Sequence, residues 1–125
     1  MEDVQLLILE SKINDLAYNE DYSEAINMLS QMLNKYPNSY RTYLIGAKIF
    51  AAIEKWEKCL EFSLKASELE KNNGDIWNHL GTAYCFLGKY VEGINAFKNG
   101  LELKHEATEN NVRYWVGKLK AEGLI

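Results

Sequence analysis

One proline, Pro37, and two cysteines, Cys59 and Cys85, are spread through 125 residues. Scarce proline beside 47% apolar residues suits a folded helical chain and excludes a disordered one. The cysteines have no paired spacing, so they read as small buried side chains of a reducing compartment. Only two histidines occur, His79 and His105. No Cys-x-x-Cys, His-Glu-x-x-His, acidic calcium loop or glycine-rich phosphate loop is written in the chain. No metal, cofactor or catalytic cluster is therefore expected, and no enzyme. Positive charge is not in excess: the formal net charge is −4. No basic stripe exists for nucleic acid. No apolar run has the length of a membrane span, which argues against membrane insertion. The acidic opening Met1-Glu2-Asp3 before the short apolar run Leu6–Leu9 is unlike a signal peptide. A soluble, cytoplasmic protein is expected.

What the chain does have is a period. Tyr22, Trp56 and Tyr90 each stand 34 residues from the next. Leu16, Phe50 and Tyr84 repeat in the same frame, as do Ile26, Leu60 and Ile94. Small residues form a further column at Ala25, Cys59 and Gly93. A gapless period of this length marks a solenoid of helical hairpins. At this length the chain is one domain, with repeats at about 6–39, 40–73 and 74–107.

Within each unit the apolar spacing is helical rather than alternating. Ile76, Trp77, Leu80, Ala83, Tyr84 and Leu87 recur at threes and fours. Gly88 then punctuates, and Tyr90, Ile94, Phe97 and Leu101 make a second stripe. Two helices joined by a tight turn pack antiparallel. The spacing predicts seven helices, near 3–18, 22–36, 40–53, 56–71, 75–87, 90–105 and 108–122. The seventh carries one stripe, Val112, Trp115, Val116 and Leu119, with Thr108 placed to cap its start and Gly123 its end. It is expected to cap the exposed edge of the third hairpin, its outer side being polar. The competing reading is the start of a fourth repeat. The fold class predicted is all-α, a right-handed α-solenoid of three antiparallel helical hairpins plus a C-terminal capping helix.

The run Trp77-Asn78-His79-Leu80-Gly81-Thr82-Ala83-Tyr84 resembles the W-x-x-L-G-x-x-Y of the tetratricopeptide repeat, and Gly93 and Phe97 follow at that family's spacing. The resemblance covers about residues 6–107. Departures are His105 for the usual proline, Gly46 for leucine, Ser63 for phenylalanine and Lys12 in an apolar column.

The resemblance implies that the first helix of each hairpin lines a concave groove. Leu7, Glu10, Asn14, Ala17 and Tyr18 are the candidates from the first repeat, and Arg41, Leu44, Ile45, Lys48 and Ala52 from the second. The third supplies Asp75, Asn78, His79, Thr82 and Phe86, and the last helix adds Arg113 and Lys120. Leu44, Ile45 and Ala52 are equally placed to pack between hairpins. Asn14, Lys48 and Asn78 are expected to be solvated, and Cys85 to look into the groove. The partner-binding set is Asn14, Tyr18, Arg41, Leu44, Ile45, Lys48, Asn78, His79, Thr82 and Phe86.

Co-chaperones of this family grip the carboxylate tail of Hsp70 or Hsp90 with lysine, asparagine and arginine. At the matching places this chain has Glu10, Asn14, Ile45, Asp75 and His79. Only the asparagine is kept, and two positions reverse the charge, which argues against such a clamp.

The function expected is a scaffold or adaptor that holds a protein or peptide in its groove. A ligand's apolar anchor would sit near Leu44, Ile45 and Phe86. Basic or polar segments would suit Glu10 and Asp75, and acidic ones Arg41 and Lys48. The alternatives are a subunit of a larger assembly that self-associates through the solenoid ends, or a chaperone for a partner protein.

Overall fold

The computed structural model describes residues 3–125. All regular structure among them is helical: α1 (Val4–Tyr18), α2 (Tyr22–Lys35), α3 (Tyr40–Ala52), α4 (Trp56–Leu69), α5 (Gly74–Phe86), α6 (Tyr90–Glu102) and α7 (Glu106–Ala121). Tyr22, Trp56 and Tyr90 are the first residues of α2, α4 and α6, so the aromatic column marks the start of each second helix.

Two kinds of start alternate. Asp3, Ser39 and Asn73 are the N-caps of α1, α3 and α5, and each side chain accepts a backbone N–H of the first turn. Such a cap contributes about 1 kcal/mol. The second helices have no side-chain cap. They leave a three-residue turn in which Asp21, Lys55 and Lys89 donate N–H bonds to Leu16, Phe50 and Tyr84. The turn places its middle residue in the left-handed region: Glu20 (φ 62°), Glu54 (φ 59°) and Gly88 (φ 80°). Gly88 ends α5 as its sequence position implies.

The period stops after α6 for a visible reason. Between α6 and α7 the chain repeats the intra-hairpin turn, with Lys104 at φ 58° and the His105 N–H donated to Gly100 O. The column that holds Pro37 in the first repeat holds Lys71 in the second, where the four-residue link at 70–73 forms without proline, so the change lies in the turn itself. This turn is one residue shorter than the four-residue link at 36–39, and α7 begins two residues before its predicted start. His105, not Thr108, is its N-cap. Thr108 lies buried in the first turn, 2.8 Å from His105 Nδ1.

Helices α1, α3, α5 and α7 touch in sequence, whereas α2, α4 and α6 do not touch one another. The stack is therefore an all-α solenoid with the first helices of the hairpins along its inner side. One core runs through Leu6, Ile13, Leu29, Met32, Ile49 and Phe50, and a second joins Cys85, Phe97 and Trp115. Burying a side chain such as Phe97, fully enclosed here, stabilises by roughly 2–3 kcal/mol. Small residues allow this packing. A Cβ on Gly81 would overlap the Phe97 ring, and one on Gly46 the Phe62 ring.

Candidate partner-binding groove

A cavity of about 230 Å³ opens on the inner side, lined by Glu10 and Asn14 of α1, Tyr40, Arg41, Leu44, Ile45 and Lys48 of α3, and Asn73 and Asp75 at the start of α5. The helical repeat explains the gathering. Glu10 and Asn14 lie one turn apart, as do Arg41, Leu44 or Ile45, and Lys48, so each helix offers one face.

The charges in this cavity are paired across helices. Arg41 Nη1 donates to both carboxylate oxygens of Glu10, at 3.0 and 3.2 Å. The Arg41 guanidinium also lies 5.7 Å from the centre of the Tyr40 ring. Lys48 Nζ is 2.9 Å from Asp75 Oδ2. Thus α3 supplies two cations, and α1 and α5 each supply an anion. This corrects the expectation of independent acidic and basic docking points: Glu10, Arg41, Lys48 and Asp75 neutralise one another.

Asp75 is the most connected of the four. His79 Nδ1 is 2.8 Å from its carbonyl oxygen and 3.2 Å from Oδ1, and His105 Nε2 is 4.0 Å from Oδ1. Partial burial works to raise the Asp75 pKa. The hydrogen bonds and charge of His79 and Lys48 outweigh it and hold the carboxyl well below the usual carboxylate range.

The predicted residues divide. Asn14, Arg41, Leu44, Ile45 and Lys48 line the cavity. Ile45 is also buried in the core, 4% exposed, so it forms wall rather than contact surface. Asn78 is not solvated. It is buried, and its Oδ1 accepts from Asn111 Nδ2 of α7 at 2.7 Å. Thr82 Oγ1 donates to the Asn78 carbonyl. These two positions follow α5 toward α7 and away from the cavity. Phe86 does not join Leu44 and Ile45. Its ring stacks on Trp56 at 4.2 Å and meets Trp115 edge-on at 4.8 Å. Tyr18 is 89% exposed and lies outside the cavity lining, as does His79. Arg113 is paired with Glu109 on its own helix.

Tyr40 and Asn73 were not foreseen as cavity residues. Asn73 carried a signal, since an asparagine before an apolar helical run is a capping residue. Cys85 does not face the groove. It is buried, and a Cβ on Gly93 would overlap its sulfur. Burial pushes the thiols of Cys59 and Cys85 up to about 11, so neither is a ready nucleophile. No helix among the described residues is long and apolar enough to cross a membrane.

No family model matches the sequence. Among curated proteins the chain is 25% identical, over 95 residues, to small glutamine-rich tetratricopeptide repeat-containing protein 2 of Mycosarcoma maydis. That match covers 76% of this chain and 27% of the relative, so the chain spans about a quarter of that relative's length. Among solved structures it superposes on the Sgt2 tetratricopeptide-repeat domain of Aspergillus fumigatus with a TM-score of 0.87 at 21% identity, covering 95% of this chain and 82% of that one. The first such domain of Spaghetti (RPAP3), bound to HSP90 peptide SRMEEVD, superposes with a TM-score of 0.85 at 20% identity, covering 96% and 97%. The chain has the tetratricopeptide-repeat fold, as the run from Trp77 to Tyr84 implies.

Proposed function

We propose that this chain is a protein-interaction module that holds a partner segment in the cavity between α1, α3 and α5, by a mode other than a carboxylate clamp. The fold is shared with a domain bound to an HSP90 peptide, which supports peptide holding in general. The observation that carries the finer reading is the pair of cross-helix ion pairs, Glu10–Arg41 and Lys48–Asp75. They occupy the ground on which a clamp would need free cations.

The SRMEEVD peptide ends in two glutamates, a valine and an aspartate with its terminal carboxylate. In this cavity such a tail would meet Glu10 and Asp75. To reach Arg41 or Lys48 it would have to displace a carboxylate already bonded there. A better-matched ligand is polar and near neutral. It would place amide or hydroxyl groups against Asn14 and Asn73 and an aliphatic side chain against Leu44. Each ion pair is partly solvated and contributes about 0–1 kcal/mol, so a ligand with one acid and one base can exchange partners with them at little cost. The walls are helices fixed by the core, so the receptor needs little ordering on binding.

Titration with fluorescent SRMEEVD tests this directly. No saturable binding is expected. Saturable binding that disappears when the peptide's C-terminus is amidated would show that a clamp operates after all.

A further inference from the structure

The chain has two histidines, and the fold brings both to one carboxylate, that of Asp75. Two local devices do this. His79 stands one turn beyond Asp75 on α5, so the two side chains share a face. Its Nδ1 is 2.8 Å from the Asp75 carbonyl oxygen and 3.2 Å from Oδ1. The carbonyl can only accept, so Nδ1 carries the proton when the ring is neutral. His105, at the head of α7, reaches Asp75 because Gly74 makes room: a Cβ on Gly74 would overlap the His105 side chain. The His105 ring is thereby laid against the start of α5. Its Nδ1 is 2.8 Å from Thr108 Oγ1 and its Nε2 4.0 Å from Asp75 Oδ1. Only 19% of the His79 side chain and 25% of the His105 side chain are exposed, so solvent screens their charges less than it would at the surface.

The third group on Asp75 is Lys48 of α3, 2.9 Å from Oδ2. Among the described residues Asp75 is the one carboxylate within 4.0 Å of either ring. Helices α4 and α6 also pack on α5, and neither forms an ion pair with Asp75 or the rings. Further along the cavity Glu10 of α1 and Arg41 of α3 hold each other. Lys104, Glu106 and Glu109 line a separate pocket with His105. Carboxylate, ammonium and guanidinium groups keep their charge where imidazole titrates, between about pH 5 and 8. Asp75 does so firmly, since His79 and Lys48 hold its carboxyl well below the usual range. With neutral rings, Lys48 and Asp75 cancel. With both rings protonated, three cations share one carboxylate, and the surplus positive charge lies at the α5 end of the cavity. An acidic group entering beside Lys48 then meets unneutralised charge instead of a matched pair. We infer that His79 and His105 form a proton-operated switch on the cavity, which rejects acidic peptide segments when the rings are neutral and accepts them when both are charged. This rests on the cavity between α1, α3 and α5 being the partner site, and adds its control by pH and the ligand class that the charged state takes.

The probe is fluorescent SRMEEVD amidated at its C-terminus, so that side-chain carboxylates act without a terminal one. Anisotropy titrations are run at about pH 7.5 and about pH 5.5, both above the ordinary range of those carboxylates. Saturable binding is expected at the lower pH, and binding weaker by about tenfold or more at the higher. The double variant His79→Asn, His105→Gln keeps a polar amide in place of each ring but takes up no charge. It should bind the probe as poorly at the lower pH as the wild type does at the higher, with helicity unchanged by circular dichroism. Equal affinity at the two pH values, no binding at either, or a pH response kept by the double variant overturns the inference. A neutral peptide, selected at the higher pH from a random display library, separates this from the reading beneath it. It should bind wild type and double variant alike, with amide shifts at Asn14 and Lys48. If it does so while the acidic probe fails at both pH values, the switch is wrong and the cavity remains the partner site. If its shifts gather on α2, α4 and α6 instead, the partner site is elsewhere and the switch falls with it.

Discussion

Gly46 of α3 and the ring of Phe62 on α4 share one space: a side-chain Cβ at 46 would overlap the ring. In the third hairpin the same fit is made by Gly81 and Phe97. The second hairpin has moved it by one residue on each helix, from the positions of Ala47 and Ser63 to those of Gly46 and Phe62. Two departures from the repeat pattern, glycine for leucine and serine for phenylalanine, are therefore one compensated change. Phe62 then packs edge-on to Phe50 at 5.2 Å and near Tyr43 at 6.0 Å. Gly46→Ala should destabilise the fold by about 1–3 kcal/mol, because the ring must leave its rotamer. Combined with Phe62→Leu, the loss should be smaller than the sum of the single losses. Urea unfolding of the four chains checks this, and strict additivity would contradict the shared space.

The hairpin turns give a stabilising prediction. Glu20 and Glu54 hold left-handed conformations that Gly88 holds without strain. Glu54→Gly should raise the unfolding free energy by up to about 1 kcal/mol, and Gly88→Ala should lower it by about as much. Paired thermal and urea melts read both signs.

Asn111 Nδ2 donates a partly buried hydrogen bond to Asn78 Oδ1 and so joins α7 to α5. Asn111→Ala leaves a buried carbonyl oxygen of Asn78 without its donor, at a cost of about 1–3 kcal/mol. The loss should be local. Amide hydrogen exchange is expected to quicken in α7, residues 106–121, well before α1–α4 is affected. Uniform loss of protection would mean that α7 is not a separable unit.

Asp75 gives the acid dependence its sign. Its folded pKa is depressed below the unfolded value of about 3.9, through His79 and Lys48. Its contribution is thus fully present above that unfolded value. It is lost as pH falls below about 4 toward the folded pKa. Asp75→Asn should remove this part of the acid limb. Stability curves of the two chains should converge as pH falls below about 4. Parallel curves throughout would contradict the pairing.

The architecture was legible because its signal is periodic. The aromatic column at Tyr22, Trp56 and Tyr90 fell on three helix starts, and the apolar stripes gave all seven helices. The groove was legible only in part. Residue type shows that Glu10 and Arg41 are charged, but their pairing joins positions 31 apart on different helices. Asn78 reads as solvated from its polarity, because nothing local announces a partner on α7. Phe86 sits at the groove's column yet turns to Trp56, the large aromatic of the preceding hairpin. The early start of α7 followed from a turn whose left-handed residue is Lys104, which no glycine flags.

The most direct test of the account is a two-dimensional amide NMR titration with a peptide selected from a random display library against the immobilised chain. The account predicts shift changes gathered at Glu10, Asn14, Arg41, Leu44, Lys48 and Asp75, and affinity reduced by about tenfold or more in the Asn14→Ala, Lys48→Glu variant. Changes confined to α2, α4 and α6, with that variant binding as well as the wild type, would contradict it.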